Sequence, residues 1–406
     1  MNFEEFNLDG SLLEGLSAIG FETATPIQEA AIPAILDKKD VIACAQTGTG
    51  KTAAFVLPIL HQIANENPTG IDTLIISPTR ELALQIDQQV EGLGYFTGAS
   101  SKAIYGGGDG DAWEKERKAL MEGADIIIAT PGKLLSFLKQ KIGNFTALKH
   151  LVLDEADRML DMGFYNDIIH IISFLPKEKQ TLLFSATMPK KIRELASKIL
   201  IDPLEINIAI SKPAEKVVQA AFVLYDEQKI PVIEWLLKLS DASSVIIFAS
   251  TKSSVRELAK ALSKIRENVQ EIHSDLEQQE REQVLRNFKN KKTEVLVATD
   301  IISRGIDIDS IGMVINFDVP QDAEDYIHRV GRTARAAAEG EAVTLINPKD
   351  QNRFAKIENL VGSEIRKVPL PKSLGDGPEY KPNSRKKRSF STNRKSSSRK
   401  KIIKKR

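Results

Sequence analysis

The stretch DVIACAQTGTGKT, from Asp40 to Thr52, decides the fold of this 406-residue chain. Its first five residues predict a short buried strand, and the glycines that follow predict a tight loop that leads into a helix. Such a loop turns backbone N–H groups toward a polyphosphate, and the helix N-terminus adds a favourable dipole. Lys51 is then expected to reach the β and γ phosphates, and the Thr52 hydroxyl to ligand Mg²⁺. The expected phosphate-binding residues are Ala45, which replaces a usual glycine, and Gln46, Thr47, Gly48, Thr49, Gly50, Lys51 and Thr52.

A second apolar stretch, His150 to Leu153, is followed by four residues that read D-E-A-D. Asp154 is expected to hold Mg²⁺, partly through water, and Glu155 to orient and deprotonate an attacking water molecule. The alternative is a solvated acidic turn at the end of a strand. Because the acids follow a phosphate-binding loop in the same chain, hydrolysis of a nucleoside triphosphate on Mg²⁺ is the stronger hypothesis.

The size and composition of the chain fit two globular domains, with room for a tail. Cys44 is the only cysteine, which excludes an internal disulfide and fits a reducing compartment. The N-terminus has no secretory pattern and no apolar run is long enough for a membrane span. We therefore expect a cytoplasmic protein without a membrane partner.

Charge is distributed unevenly. Residues 380–406 contain thirteen Lys or Arg and no Asp or Glu. The other 43 basic and 55 acidic residues give the rest of the chain a net charge of −12. This C-terminal segment is also poor in apolar residues, so we expect it to be disordered. A solvated tail without function is one interpretation, and a sequence-independent tether for nucleic acid is the favoured one.

Short Ile/Val/Leu runs alternate with amphipathic stretches, which is typical of α/β domains with parallel sheets. The polar residues of interest follow these runs, where ligands bind in open α/β sheets. We expect a first domain at 1–207, a linker at 208–217, a second domain at 218–368 and a disordered tail at 369–406. The predicted strands are Val41–Cys44, Thr73–Ser77, Asp125–Ala129, Leu151–Leu153 and Thr181–Phe184, then Val245–Ala249, Val269–His273, Glu294–Ala298, Met313–Phe317 and Ala342–Ile346.

The motifs and their order resemble the DEAD-box RNA helicases from Phe3 to about Leu345. The resemblance implies two tandem RecA-like domains, with ATP and Mg²⁺ as cofactors and RNA as partner. Gly20–Gln28 looks like the family's Q motif, and Phe3 is the isolated aromatic seventeen residues before it. By this match Gln28 reads the adenine edge, Phe3 stacks on the base and Thr25 belongs to the ATP site. An amide suits adenine because it offers both a donor and an acceptor.

Three segments of the first domain match the family's RNA-binding motifs. They offer hydroxyls, backbone N–H groups or a cation, which suit phosphates better than base edges. Lys133 stands where the family usually has arginine, so it keeps the charge and loses the planar geometry; we expect its phosphate contact to survive. Each segment alone could be a plain capped helix start. The residues implied are Pro78, Thr79, Arg80, Gly106, Gly107, Thr130, Pro131, Gly132 and Lys133.

Further motifs are matched in both domains. The resemblance assigns coupling of ATP hydrolysis to unwinding to Ser185, Thr187, Asp157 and His328. It implies RNA contacts for Gln278, Arg281, Thr299 and Asp300, and nucleotide contacts for Gly305 and Asp307. Arg332 and Arg335 are the implied arginine fingers, for which a solvated basic helix face is the alternative. The chain departs from the family pattern at Ser274, at Ile302-Ser303 and at Ala334.

These matches imply an RNA-stimulated ATPase that separates short RNA duplexes locally, without translocation over long distances. The compact architecture resembles small bacterial members that serve in ribosome assembly, RNA decay or cold adaptation. Ribosomal or RNA-decay assemblies are therefore possible partners. Two other functions stay open: a DNA translocase, and an ATP-dependent RNA clamp or scaffold that does not unwind.

Overall fold

The computed structural model describes residues 1–45, 48–107, 110–208, 217–240, 242–299, 311–333 and 340–382. Within these ranges the chain forms two α/β domains, each built on one seven-stranded sheet. All strand pairings described within the two sheets are parallel. No helix among the described residues is long and apolar enough to cross a bilayer.

The first domain begins with a short 3₁₀ helix, Phe3–Phe6, and then alternates helices with strands. Its helices are α1 (Gly10–Ala18), α2 (Pro26–Leu36), α3 (Lys51–Glu66), α4 (Arg80–Leu93), α5 (Gly110–Glu122), α6 (Pro131–Lys139), α7 (Ala156–Asp161), α8 (Tyr165–Ile172) and α9 (Lys190–Ile199). Its strands are β1 (Val41–Cys44), β2 (Thr73–Ile76), β3 (Ser101–Ile104), β4 (Ile126–Ala129), β5 (His150–Leu153), β6 (Gln180–Ser185) and β7 (Leu204–Asn207).

The strand order of this sheet is β3-β4-β2-β5-β6-β1-β7. Alternate residues of each inner strand enter two separate cores, one on each face. In β1, for example, Val41 and Ala43 lie in one core and Ile42 in the other. Burial on both faces explains the unbroken apolar runs of the inner strands.

The second domain repeats this plan. Its helices are α10 (Lys229–Leu239), α11 (Lys252–Leu262), α12 (Gln278–Lys289), α13 (Ala323–Val330) and α14 (Gln351–Val361), with 3₁₀ turns at Asp226–Gln228 and Lys372–Leu374. Its strands are β8 (Val217–Val223), β9 (Val245–Phe248), β10 (Val269–Ile272), β11 (Val295–Ala298), β12 (Met313–Asn316), β13 (Gly340–Ile346) and β14 (Arg366–Lys367). The sheet order is β10-β11-β9-β12-β13-β8-β14.

The ten strands expected from the sequence are all present, with boundaries that differ by at most a few residues. The sequence prediction gave no bounds for β3, β7 and β8, whereas β14 lies where the sequence indicates a strand-like end near Val368. β3 and β7 are edge strands, and an edge strand carries polar or exposed residues that break the apolar pattern; in β7, for example, only Ile206 is buried. The expected linker falls between the end of β7 and the start of β8, and residues 209–216 lie outside the described residues.

The second domain extends further along the chain than expected. Residues 369–382 were predicted to belong to a disordered tail, but they pack against the domain after β14. Tyr380 contacts the ring of Phe354 at a centroid distance of 6.3 Å and donates a hydrogen bond to Glu358 at 2.7 Å. Gly377 passes so close to β8 that a side chain there would meet the carbonyl oxygen of Val223. The tail beyond Pro382 lies outside the described residues.

Candidate functional site

The two sheets place the motifs by strand order. In the first domain β1, β6 and β5 are neighbours, and they lead into the phosphate-binding loop, the Ser185–Thr187 turn and the Asp154–Asp157 acids. The next strands, β2, β4 and β3, lead into the three segments expected to bind RNA. Because the strands are parallel, all six motifs follow the carboxyl ends of the strands and lie on the same side of the sheet. The motifs expected to bind nucleotide occupy one half of this side, and the segments expected to bind RNA occupy the adjoining half.

The phosphate-binding loop has the backbone that its glycines predict. Gly48 and Gly50 have positive φ angles of 85° and 87°, which are costly for residues with a side chain. Lys51 begins α3 and is buried, and its Nζ donates to the carbonyl oxygen of Ala45 at 2.5 Å. The lysine ammonium is thereby hydrogen-bonded to the first residue of the loop, and its contact with phosphate stays a prediction.

The Q-motif glutamine touches this loop directly. Gln28 Oε1 accepts a hydrogen bond from the backbone N–H of Thr25 at 2.8 Å, and its Nε2 donates to the carbonyl oxygen of Gly50 at 3.2 Å. A side chain at Gly50 would collide with the Gln28 amide. Thr25 and Pro26 also start α2, as expected for a capped helix. Gln28 is thus placed to link the start of α2 to the phosphate-binding loop, and its contact with adenine stays a prediction.

Phe3 lies in the core of the first domain. Only 3% of its surface is exposed, and its ring lies 6.1 Å from that of Phe6 and 6.2 Å from that of Phe21. Of the two rings next to Phe3, that of Phe21 is the more exposed, with 41% of the residue surface accessible. Stacking of Phe3 on a base stays a prediction, and it requires the buried ring to become accessible.

Asp154 and Glu155, the two acids expected to be catalytic, are buried side by side after β5. Burial raises the pKa of Asp154 to about 7, and the adjacent Glu155 adds to the rise, whereas the Lys51 ammonium lowers it. Glu155 has a φ of 49° at the start of α7, a left-handed conformation that is strained for a residue with a side chain. Its carboxylate lies 3.4 Å from the guanidinium of Arg158. The geometry therefore excludes a solvated acidic turn.

This donor set fits Mg²⁺. A buried carboxylate with a raised pKa is electrostatically unfavourable when ionised, and a divalent cation relieves that cost. Mg²⁺ is usually held by one or two protein oxygens together with substrate phosphates, so Asp154 and the Thr52 hydroxyl suffice. The described residues contain no cluster of three or more His, Cys, Asp or Glu side chains able to hold a metal by themselves.

The Ser185–Thr187 turn is bonded to the acids and lies beside the phosphate-binding loop. The Thr187 hydroxyl and backbone N–H donate to Asp157 Oδ2 at 2.9 Å and 3.0 Å. The Ser185 hydroxyl donates to the Thr187 carbonyl at 2.7 Å, and the Ser185 carbonyl accepts from the N–H of Ala45 at 3.0 Å. A hydroxyl of this turn is thus hydrogen-bonded to one of the acids. Its coupling role stays a prediction.

Cys44 has no nucleophilic character in this setting. Its thiol donates to the carbonyl oxygen of Ala186 at 3.4 Å, and burial raises its pKa. A thiol that stays protonated is a poor nucleophile. The residue therefore packs as a small side chain at the end of β1.

Arg80 connects two of the segments that are expected to bind RNA. Its guanidinium lies over the ring of Tyr105, 5.6 Å from the centroid, and fills the space where Gly107 has no side chain. Thr79 caps α4 by accepting from the N–H of Leu82 at 3.3 Å, and Pro131 occupies the first turn of α6 after Thr130. The segments after β2 and β3 are thus in direct contact.

Four residues join the RNA motifs of the two domains. The Arg80 guanidinium donates to Gln278 Oε1 at 3.0 Å, and Arg281 donates to the same oxygen at 3.3 Å. Arg281 also forms an ion pair with Glu81 at 2.5 Å, and these two side chains are only 16% and 13% exposed. From the sequence, only RNA contact was expected for Gln278 and Arg281. The structure adds a direct contact between the domains.

In the second domain Arg329 and Arg332 are both buried. Arg329 is fully buried in α13, donates to Asn316 Oδ1 at 2.9 Å and lies over the Phe248 ring. Arg332 is 4% exposed and His328 is 9% exposed. A solvated basic helix face is therefore excluded for these residues. Thr299, at the end of β11, is also buried.

Several expected residues lie outside the described ranges, and their roles stay predictions. They are Gln46, Thr47, Asp300, Gly305, Asp307 and Arg335, together with the departures at Ile302, Ser303 and Ala334.

Two functional candidates were missed at the sequence level. Glu81 directly follows the segment Pro78–Arg80 and was given no role, although its charge could have suggested an arginine partner. Glu116 carried no signal, because it is one of several charged residues in an amphipathic stretch. In the structure its carboxylate is buried and lies 2.8 Å from Lys133 Nζ.

Family models match both domains. Residues 25–195 match the DEAD/DEAH box helicase family, and residues 228–337 match the helicase conserved C-terminal domain. The ATP-dependent RNA helicase CshA of Listeria monocytogenes is 40% identical over 370 residues, which cover 91% of this chain and 70% of that protein.

Solved structures agree in fold. S. cerevisiae Dbp5 bound to RNA and ADP BeF3 aligns with a TM-score of 0.82 at 33% identity, over 91% of this chain and 95% of that chain. A DEAD box protein from Methanococcus jannaschii aligns with a TM-score of 0.53 at 38% identity, over 91% of this chain and 99% of that chain. The two parallel sheets are thus the tandem RecA-like domains of an ATP-hydrolysing enzyme, and the chain belongs to the DEAD-box ATP-dependent RNA helicases.

Proposed function

We propose that RNA-stimulated ATP hydrolysis by this chain drives local, non-processive separation of short RNA duplexes and remodelling of RNA–protein complexes. One observation carries the proposal: Arg80 and Glu81 of the first domain contact Gln278 and Arg281 of the second. These contacts join the RNA motifs of both domains into one surface. The structural similarity to Dbp5 bound to RNA and ADP BeF3, with a TM-score of 0.82, supports the same conclusion.

The nucleotide chemistry is divided between the domains. Lys51 holds the β and γ phosphates, and Asp154 with Thr52 holds Mg²⁺, which neutralises phosphate charge when bound. Glu155 orients the attacking water and accepts its proton. The second domain supplies Arg332 and Arg335, and an arginine on the γ-phosphate is worth about 10³–10⁵ in rate. Hydrolysis therefore requires the two domains to close on the nucleotide.

The hydrogen bonds at the acids support coupling of ATP hydrolysis to RNA unwinding. Thr187 is bonded to Asp157, and Ser185 is bonded both to Thr187 and to the phosphate-binding loop. A change at the nucleotide is thereby transmitted to the turn after β6, and His328 of the second domain completes this path. Closure then places the RNA motifs of both domains on one strand and bends it, which opens a short duplex.

RNA recognition by these motifs is largely independent of sequence, because hydroxyls, N–H groups and cations contact phosphate and sugar. The basic segment 380–406 adds an electrostatic tether that raises RNA affinity at low salt. Cytoplasmic ribosomal or RNA-decay assemblies are the proposed setting.

The test is ATP hydrolysis without polynucleotide, with single-stranded RNA and with DNA. The full chain is compared with one that ends at Pro382, because residues up to this point pack on the second domain. RNA-selective stimulation in both forms supports the proposal, and a loss of apparent RNA affinity on truncation, larger at low salt, supports the tether. Equal stimulation by DNA favours the DNA translocase and overturns the RNA assignment.

A further inference from the structure

A buried carboxylate in α5 joins two of the proposed RNA-binding segments. Glu116 is only 5% exposed. Its Oε1 accepts a hydrogen bond from the backbone N–H of Tyr105 at 3.0 Å, and its Oε2 lies 2.8 Å from Lys133 Nζ. Tyr105 directly precedes the Gly106–Gly107 turn, and Lys133 lies in the first turn of α6. One side chain therefore connects the ends of two segments that sequence alone treats as separate.

The contact is reinforced by its surroundings. The Trp113 ring of α5 stacks on the Phe137 ring of α6 at 6.0 Å, with an interplanar angle of 29°. Lys133 Nζ lies 5.0 Å from the Phe137 centroid. Glu116 thus belongs to a packed contact between the helices.

Lys133 is poorly placed to serve as a phosphate ligand. Its side chain is 16% exposed, and its ammonium is directed to a carboxylate whose side chain is 7% exposed. A phosphate that drew the ammonium away would leave a buried carboxylate without its counter-charge, which is strongly unfavourable. The positive charge of Lys133, which stands where the family usually has arginine, thus neutralises the Glu116 carboxylate inside the protein.

We infer that Glu116 is a positioning residue for RNA binding and that Lys133 is its partner instead of a phosphate ligand. The pair fixes the distance between the Gly106–Gly107 turn and the start of α6, and Arg80 packs on the same turn. Phosphate contacts at α6 then fall to the Thr130 hydroxyl and to backbone N–H groups of the first helical turn. This inference rests on the proposed RNA binding.

The experiment measures the affinity of a fluorescent single-stranded RNA over a range of salt concentrations, with a non-hydrolysable ATP analogue present. Glu116→Gln, Lys133→Gln and the double variant are compared with wild type. Lys133→Arg tests rescue by a cation, and Glu114→Gln, which breaks an exposed ion pair with Arg117 on the same helix, reports the effect of losing a negative charge at the surface. Thermal unfolding of each variant confirms that it is folded.

We expect Glu116→Gln to weaken RNA binding, although it makes the protein more positive. The loss in affinity is about tenfold or more, which is typical of breaking a buried charge pair. Lys133→Gln weakens binding to a similar extent without changing the salt dependence, and the double variant is no weaker than either single one. Lys133→Arg binds like wild type. In RNA-stimulated hydrolysis the two single variants raise the KM for RNA and keep kcat at saturating RNA.

The opposite pattern overturns the inference. A phosphate ligand at Lys133 predicts that Glu116→Gln binds RNA as well as wild type or more tightly. It also predicts that Lys133→Gln reduces the slope of log K against log salt by about 0.7, the value for one phosphate of a single strand. Failure of the proposed function is distinguishable, because the wild-type chain itself would then fail to bind RNA.

Discussion

Removing the charge of Glu81 is expected to impair RNA-stimulated ATP hydrolysis, because Glu81 forms the ion pair that joins the two domains. The pair is mostly withdrawn from solvent, with side chains 13% and 16% exposed and a 2.5 Å separation from Arg281. Two charges with centres about 4 Å apart attract by about 4 kcal/mol at an effective dielectric constant of about 20. Loss of one partner of such a pair costs about 2–5 kcal/mol, part of which is the unpaired charge left behind.

A shift of 1.4 kcal/mol in the closure equilibrium corresponds to about tenfold. We therefore predict that Glu81→Gln and Arg281→Gln each lower kcat/KM for RNA in the ATPase assay by at least about tenfold. The double variant should be little worse than the single ones, because the same interaction is lost only once. Glu91→Gln, at an exposed position on the same helix, is the matched control.

Additive effects in this cycle would refute the reasoning, since residues that act independently do not couple. Wild-type activity of Glu81→Gln would also refute it, because the ion pair would then not contribute to closure.

Three further predictions concern the acids and the C-terminal segment. Glu155→Gln is expected to keep ATP-dependent RNA binding and to lose almost all turnover; normal hydrolysis in a single-turnover assay would remove its role in activating water. In the protein without metal, Asp154 is protonated below its pKa of about 7. The part of the nucleotide affinity that depends on Mg²⁺ should therefore fall as pH decreases from 8 to 6, by about tenfold per pH unit below 7. Nucleotide titrations without Mg²⁺ give the control, and an effect of Mg²⁺ that does not change with pH would contradict that pKa. Tyr380→Ala removes a ring contact and a hydrogen bond to Glu358, so the midpoint of thermal unfolding should fall by several degrees, as for a loss of about 1–2 kcal/mol; an unchanged midpoint would mean that residues after β14 do not stabilise the domain.

The strands that the sequence prediction missed, β3, β7 and β8, lack a continuous apolar run, and two of the three lie at the edge of a sheet. An inner strand such as Leu151–Leu153 is buried on both faces, so its residues are continuously apolar. At the edges, Ser101–Ile104 and Leu204–Asn207 are only partly buried, and polar residues interrupt the run. The segment after Val368 was also missed, because its contacts depend on single side chains such as Tyr380 and not on a periodic pattern.

The candidate site was predictable where function follows from position along a strand. In a parallel sheet every strand ends at the same edge, so apolar runs followed by Lys51, Asp154 and Ser185 imply that these residues are neighbours. Partnerships between side chains of different elements were not predictable. Glu116 binds Lys133 only because α5 packs on α6, so a lysine expected to contact phosphate is paired inside the protein.

ATP-dependent release of a strand from short RNA duplexes tests the central claim most directly, because it requires nucleotide, RNA and domain closure together. The full chain should release the strand with ATP, should fail without it, and should act far less on longer RNA duplexes and on matched DNA duplexes. RNA-stimulated ATP hydrolysis without any strand release would contradict unwinding and favour an ATP-dependent RNA clamp. Equal release from RNA and DNA duplexes would contradict the account altogether.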